Sequence, residues 1–169
     1  MKRLSLFALS VFFVLTTVVA AQTSDQSQPE LAYEDLNSPV SMLASYYNAI
    51  ELKDYQRAYG YWRNTSQTYE DFAAGFSDTE GVQLIVEPPT RIDPGAGNLF
   101  AQVPTVVVAD HTDGTQHTYA GCFVTHKPNL PPQESNEAPI WTISSATMAE
   151  VEGPDINIAA LLADACTAN

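Results

Sequence analysis

The stretch SMLASYYNAIELKDYQRAYGYWRNTSQTYEDFAAGF, Ser41 to Phe76, decides how the rest of the chain is read. Three short helical patterns follow one another in it, dense in aromatic residues and broken at Lys53-Asp54 and at Arg63-Asn64-Thr65. Met42, Leu43, Tyr46, Tyr47 and Ile50 recur at helical spacing and form one apolar face. Just upstream, Ser38-Pro39 is a start signal, a serine side chain to cap and a proline where no amide hydrogen is needed. The first helix is therefore predicted from Pro39 to about Leu52. Asp54 can cap a second, with Tyr55, Ala58, Tyr59 and Trp62 on one stripe. Thr68 can cap a third, in which Tyr69, Phe72, Ala73 and Phe76 fall at i, i+3, i+4 and i+7. Asp71 lies in its first turn, where the helix dipole favours a carboxylate.

From Val82 the period becomes that of a strand. Gln83 to Val86 is a β run, and Thr90-Arg91-Ile92 is read as its continuation beyond Pro88-Pro89, which must occupy a bulge or an edge because proline cannot donate to a ladder. Asp93 to Gly97 reads as a turn, and Leu99 to Ala109 as the strongest strand of the chain. Asp113-Gly114 is a hairpin signal. A two-residue turn there sets Asp110 opposite His117, Val108 opposite Tyr119 and Val106 opposite Gly121, with Gln116 to His126 as the partner strand. Pro128 to Pro139 is a polar, proline-rich loop, after which Ile140 to Val151 resumes the sheet until Gly153-Pro154. Apolar residues from Ile156 to Ala165 predict a C-terminal helical segment, 155–166, that carries Cys166 back to the domain. Helices first and hairpin-connected strands afterwards make an α+β domain, with N-terminal helices packed on one face of an antiparallel sheet.

The ends and the composition narrow the function classes. Lys2-Arg3, the apolar run Leu4 to Ala20 and the small residues Val19-Ala20-Ala21 read as a secretory signal over 1–21. Residues 22–38 are polar and read as a disordered leader in which Leu31, Tyr33 and Leu36 begin to dock. Residues 39–169 then form a single domain. Loss of Lys2 and Arg3 leaves five basic residues against twenty acidic ones, a net charge of −15. Such a chain is repelled by phosphate backbones and anionic lipid, so nucleic acid is not an expected partner, nor is a membrane span after signal cleavage. The expected location is exported, periplasmic or extracellular. Cys122 and Cys166 are the only cysteines, which in an exported chain predicts one disulfide. They do not make a zinc site, and no metal or cofactor is expected.

Beyond the layout, particular residues carry a resemblance. In SMLASYYNAIELKDYQRAYGYW a helix passes through the step Lys53-Asp54-Tyr55, then Ala58-Tyr59, into a second helix. A third helix follows, and long strands end in Trp141-Thr142-Ile143. Over about Pro39 to Val151 this resembles the nuclear-transport-factor-two-like superfamily, also called SnoaL-like or ketosteroid-isomerase-like. The resemblance implies a cone, a strongly bent sheet wrapped around the first helix with a pocket between them. It also implies a wide spread of functions, from isomerases, dehydratases and cyclases to binding and assembly domains without catalytic residues. Function therefore has to come from the site.

Candidate site residues are few. Asp110 and His117, if opposite each other, could act as a carboxylate orienting an imidazole for general base work. Three residues from the turn, they better suit a solvated cross-strand pair worth a few tenths of a kcal/mol. Tyr119 lies well inside its strand, on the face read as shared with Val106, Val108 and Phe123, where its hydroxyl could enter the pocket or simply complete a core. Tyr47 and Trp62 are the helical side chains expected to face the pocket. Arg91 could meet a ligand carboxylate or pair with one of the acids. His111 and His126 read as surface residues, and the sequon Asn64-Thr65-Ser66 as coincidence. Cys122 belongs to the opposite face with Thr118, Ala120 and Val124, so a bridge to Cys166 would lay the C-terminal helix there. Three functions compete: a non-catalytic domain binding a small hydrophobic or amphipathic ligand or a protein, a pocket enzyme of isomerase or dehydratase type, and an envelope assembly protein that forms a homodimer through its open sheet face.

Overall fold

Ser38 starts the first helix. Its Oγ accepts the amide hydrogen of Ser41 at 3.0 Å, and Ser41 Oγ accepts that of Ser38 at 3.1 Å, a reciprocal capping box with Pro39 at the first helical position. The computed structural model describes residues 31–131, 139–153 and 155–167. Helix α1 spans Pro39–Glu51, α2 Tyr55–Gly60 under the Asp54 cap, and α3 Tyr69–Ala74 under the Thr68 cap. Lys53 adopts a left-handed φ of 58°, which lets the chain reverse between α1 and α2.

Five strands follow: β1 Thr79–Val86, β2 Asp93–Gly95, β3 Asn98–His111, β4 Gln116–Pro128 and β5 Thr142–Glu150. They form an antiparallel sheet in the order β1-β3-β4-β5, with β2 pairing on β3. The sheet is curved and does not close. Register shifts between Thr79 and Gly81 and between Val124 and Thr125 mark the places where extra residues bend the strands. Met42, Leu43, Tyr46, Ala49 and Ile50 of α1 are buried in one core with Val103, Phe123, Trp141 and Ile143. Burying side chains of this size contributes roughly 2 kcal/mol apiece. Helix α4, Ile158–Asp164, lies against β3 and β4. It buries Leu162 and explains why Val106, which faces away from α1, is also fully buried. The Cys122–Cys166 disulfide ties α4 to that outer face. No helix among the described residues is long and apolar enough to cross a membrane.

Four expectations are corrected. The hairpin turns through three residues, Thr112, Asp113 and Gly114, closing where His111 donates to the Thr115 carbonyl at 2.9 Å. Gly114 supplies the positive φ of 83° that such a loop needs. One residue more in the loop moves the register by one, so Asp110 opposes Gln116, Ala109 opposes His117 and Val107 opposes Tyr119. Second, Leu31 to Asn37 is an ordered extended segment. Ser45 and Asn48, one turn apart on α1, accept the amide hydrogens of Asp35 and Tyr33 at 2.8 Å each, while Arg57 donates to the Tyr33 carbonyl at 2.9 Å. Third, Thr90 to Ile92 is not a strand, and the residues read as a turn, Asp93 to Gly95, pair with β3 instead. Fourth, β1 starts at Thr79, ahead of the apolar run that announced it. The secretory signal and the leader up to residue 30 lie outside the described residues, as do residues 132–138 of the proline-rich loop.

Candidate functional site

Because side chains alternate along a strand, the observed register decides what faces α1. Val103, Val107, Ala109 and His111 of β3 share that face with His117, Tyr119 and Phe123 of β4, and β5 adds Ala146 and Met148. Between this surface and the helices is a half-open cavity of about 360 Å³. Tyr46 and Tyr47 close it from α1, and Phe76 from the turn after α3. Trp62 closes it from the segment after α2. That segment is fixed to β5, where Arg63 donates to the Ile143 carbonyl at 2.9 Å and Ile143 donates to the Tyr61 carbonyl at 2.7 Å.

The inner end is aromatic. The Tyr46 ring meets Tyr47 edge-on at 4.8 Å and Trp62 edge-on at 6.2 Å, and Phe123 lies 6.3 Å from Tyr46. Burial pushes the Tyr46 hydroxyl well above the ordinary phenol range, an effect that the nearby Trp62 N–H partly offsets. Burial raises Tyr47 as well, and the charge of Tyr46 adds to it. Tyr47 is deep in the wall yet only half-buried by surface area, because its ring borders the open cavity. Trp62 Nε1 is close to the Tyr46 hydroxyl but outside hydrogen-bond geometry, and it is buried without a partner among the described residues. Leaving such a donor unsatisfied costs about 1–3 kcal/mol.

The outer end is titratable. Nδ1 of His111 lies 3.2 Å from Oδ2 of Asp78, while its Nε2 is buried without a partner among the described residues. The His111 and His117 rings meet perpendicularly at 4.9 Å. Nδ1 of His117 lies 2.5 Å from Oε1 of Glu150, and its Nε2 lies 3.2 Å from the Thr115 hydroxyl. Tyr119 lines the cavity, and its hydroxyl is raised first by burial and then by the charges of Glu150 and Asp78. Lys53 donates through Nζ to the Thr79 carbonyl at the same end.

Three of the residues expected at a pocket, Tyr47, Trp62 and Tyr119, line this cavity. Tyr119 does so beside Val107 and Phe123, not beside Val106 and Val108. Asp110 and His117 are not partners. Asp110 accepts from Gln116 Nε2 at 2.8 Å in a shallow recess with Glu80 and Gly81, on the other side of the sheet from His117. Arg91 is 78 % exposed and pairs with Asp93 at 2.9 Å, away from the cavity. His111 is a wall residue, and His126 is fully buried with Nε2 2.6 Å from Asn98 Oδ1, so neither is a surface histidine. Asp78 and Glu150 escaped notice because nothing near them in sequence marks them. Each meets its histidine only through strand pairing. Among the described residues no group of three or more His, Cys, Asp or Glu is arranged to hold a metal ion.

The chain is thus an α+β domain with helices packed on a curved, unclosed antiparallel sheet, the layout implied by its resemblance to the nuclear-transport-factor-two-like superfamily. No protein-family model matches the chain, and no curated protein matches it. Among solved structures, it is similar to a protein from Novosphingobium aromaticivorans provisionally designated a scytalone dehydratase, at 7 % identity and a TM-score of 0.48, over 69 % of this chain and 83 % of that one. A likeness of that strength says nothing about chemistry.

Proposed function

We propose that this domain binds a small, largely apolar molecule carrying a hydrogen-bond acceptor in the cavity between α1 and the sheet, and that it holds the molecule without transforming it. The observation that carries this reading is a half-open cavity of about 360 Å³ walled mainly by apolar and aromatic side chains, among them Tyr46, Tyr47, Trp62, Phe76, Phe123 and Met148. The aromatic walls would supply the burial of the apolar part, and Tyr119, which lines the outer end, offers a hydroxyl to the acceptor. The volume suits a ligand of one or two fused rings. The reading places the domain outside the cytoplasm. The disulfide supports that, since such bonds persist in oxidising compartments.

The non-catalytic part rests on the placement of the acids. The side chains of Asp78 and Glu150 are 63 % and 44 % exposed, and among the described residues no Asp or Glu lines the cavity itself. Neither acid is therefore held in the dry surroundings that tune a carboxylate for proton transfer. The pocket-enzyme alternative has one observation in its favour, the His111 imidazole paired with Asp78. The dimerising alternative is weakened by α4, which already covers the outer face at Val106.

The test is titration with prodan, a neutral naphthalene ketone whose emission shifts to the blue in apolar surroundings. Saturable binding with a blue shift, weakened when Tyr119 is replaced by Phe, is expected. Absence of saturable binding would overturn the reading.

A further inference from the structure

The two edges of the sheet are finished differently. β1 forms one edge, and α1 with the turn after it covers that strand: Glu51 accepts the amide hydrogen of Val82 at 3.4 Å, and Lys53 donates to the Thr79 carbonyl. Glu80, Glu87 and Pro88-Pro89 add the charge and the prolines that keep other chains off an edge. β5 forms the opposite edge. The backbone of Tyr61 and Arg63 covers it at Ile143, and among the described residues nothing pairs with that edge from Ser144 to Glu150. The run Ser144-Ser145-Ala146-Thr147-Met148-Ala149 holds no charge and no proline. Ser145, Thr147 and Ala149 are exposed. An edge left in this state recruits another strand.

We propose that the strand it recruits is β5 of a second copy of this chain, running antiparallel about a two-fold axis at Thr147. The charges at the two ends of the edge select that occupant. Arg63 is exposed beside Ile143 at one end, and Glu150 and Glu152 are exposed at the other. An antiparallel copy sets the acidic end of each strand against the basic end of the other, whereas a parallel copy sets like ends together. Because Ile143 is already paired, the free run is 144–150, and Thr147 is its middle residue. A two-fold axis there places Thr147 opposite its own equivalent, Ser145 opposite the second copy's Ala149, and Ser144 opposite the second copy's Glu150. The pairing does not use the outer face that α4 covers, and it does not depend on what the cavity holds. One strand pair buries less than the roughly 1,200 Å² of a lasting complex, so the dimer is weak and needs a high protein concentration. The negative charge of the chain opposes association, but at 150 mM salt charges more than about 8 Å apart are largely screened.

Sedimentation velocity at 150 mM salt, over a concentration series reaching the millimolar range, tests the pairing. The average mass is expected to rise from that of one chain towards that of two. Thr147→Lys places two like charges directly opposite each other and should weaken the dimer at least about fivefold, although it lowers the net negative charge. Gln83→Lys adds the same charge at an exposed position of β1 and should leave the dimer no weaker. Far-UV circular dichroism reports that each variant is folded. A second measurement does not depend on the lysine variant folding. Thr147→Cys should be joined between copies by a short bismaleimide, since opposed Cβ atoms lie about 5 Å apart. Ala149→Cys should not, because its equivalent lies four residues along the strand, about 13 Å away. A single-chain mass at every concentration would overturn the proposal. So would a dimer that survives Thr147→Lys or weakens equally with Gln83→Lys, or cross-linking at Ala149→Cys as efficient as at Thr147→Cys.

Discussion

Cutting the bridge between Cys122 and Cys166 should separate the stability of the domain from its cavity. The two cysteines are 44 residues apart, and a cross-link closing a loop of that length removes unfolded-chain entropy equivalent to about 4 kcal/mol in the chain-entropy model. Helix α4 has seven residues, too few to be stable alone, and buries only Leu162 fully. Without the bridge it should therefore also detach part of the time and uncover Val106. The double variant Cys122→Ala/Cys166→Ala is thus expected to lose about 4 kcal/mol in urea unfolding followed by far-UV circular dichroism, with a steeper denaturant dependence because its unfolded state is less compact. The bridge lies on the face of β4 opposite Tyr119 and Phe123, so prodan affinity should stay within about twofold at a temperature where the variant is folded. A stability loss below about 1 kcal/mol would refute the entropic account. Loss of binding in a folded variant would refute the separation of the two faces.

Two further outcomes follow from local geometry. A Cβ on Gly121 would meet the Thr147 carbonyl oxygen at 1.9 Å and Met148 Cα at 2.8 Å, both backbone atoms of the neighbouring strand. Gly121→Ala should therefore pry β5 from β4, at a cost of about 3 kcal/mol and a fall of about 10 °C in Tm; a fall under about 2 °C would show that the strands give way freely. Tyr46 and Tyr47 have hydroxyl pKa values raised by burial, so between pH 10 and their folded values the unfolded chain loses protons that the folded one keeps. Their stabilising contribution is complete below pH 10 and is lost as pH rises beyond it, at about 1.4 kcal/mol per pH unit for each tyrosine. Urea unfolding between pH 10 and 11 should show the slope smaller by about 1 kcal/mol per pH unit in Tyr47→Phe, with Tyr46, Tyr55, Tyr61 and Tyr119 supplying the rest, and an unchanged slope would mean that Tyr47 is not buried.

What could be read from the sequence is what neighbours in sequence decide. Ser38-Pro39, Asp54 and Thr68 cap the three helices as expected, because a cap is a bond across three or four residues. Tyr119 and Phe123 share a face for a similar reason, since their spacing lies within one strand and survives any error of pairing. Asp110 and His117 depended on the pairing, and one residue in the loop at Thr112 to Gly114 was enough to send them to opposite faces. The Asp78–His111 and Glu150–His117 contacts needed more, namely the pairing of β1 with β3 and of β4 with β5 across long intervening segments. Arg91 was attractive because basic residues are scarce in this chain, but Asp93 two residues away already takes its charge. The cysteines could be paired from their number alone, there being no third to compete.

The ligand cavity is the centre of this account, and filling it is the most direct test. Ala146 of β5 borders the cavity and is half-buried, so Phe in its place puts a ring into the space without displacing the core beneath α1. Prodan binding should be abolished in Ala146→Phe while its circular dichroism and Tm stay close to those of the unmodified protein. A folded Ala146→Phe variant that binds prodan with unchanged affinity would contradict the assignment of the cavity as the binding site.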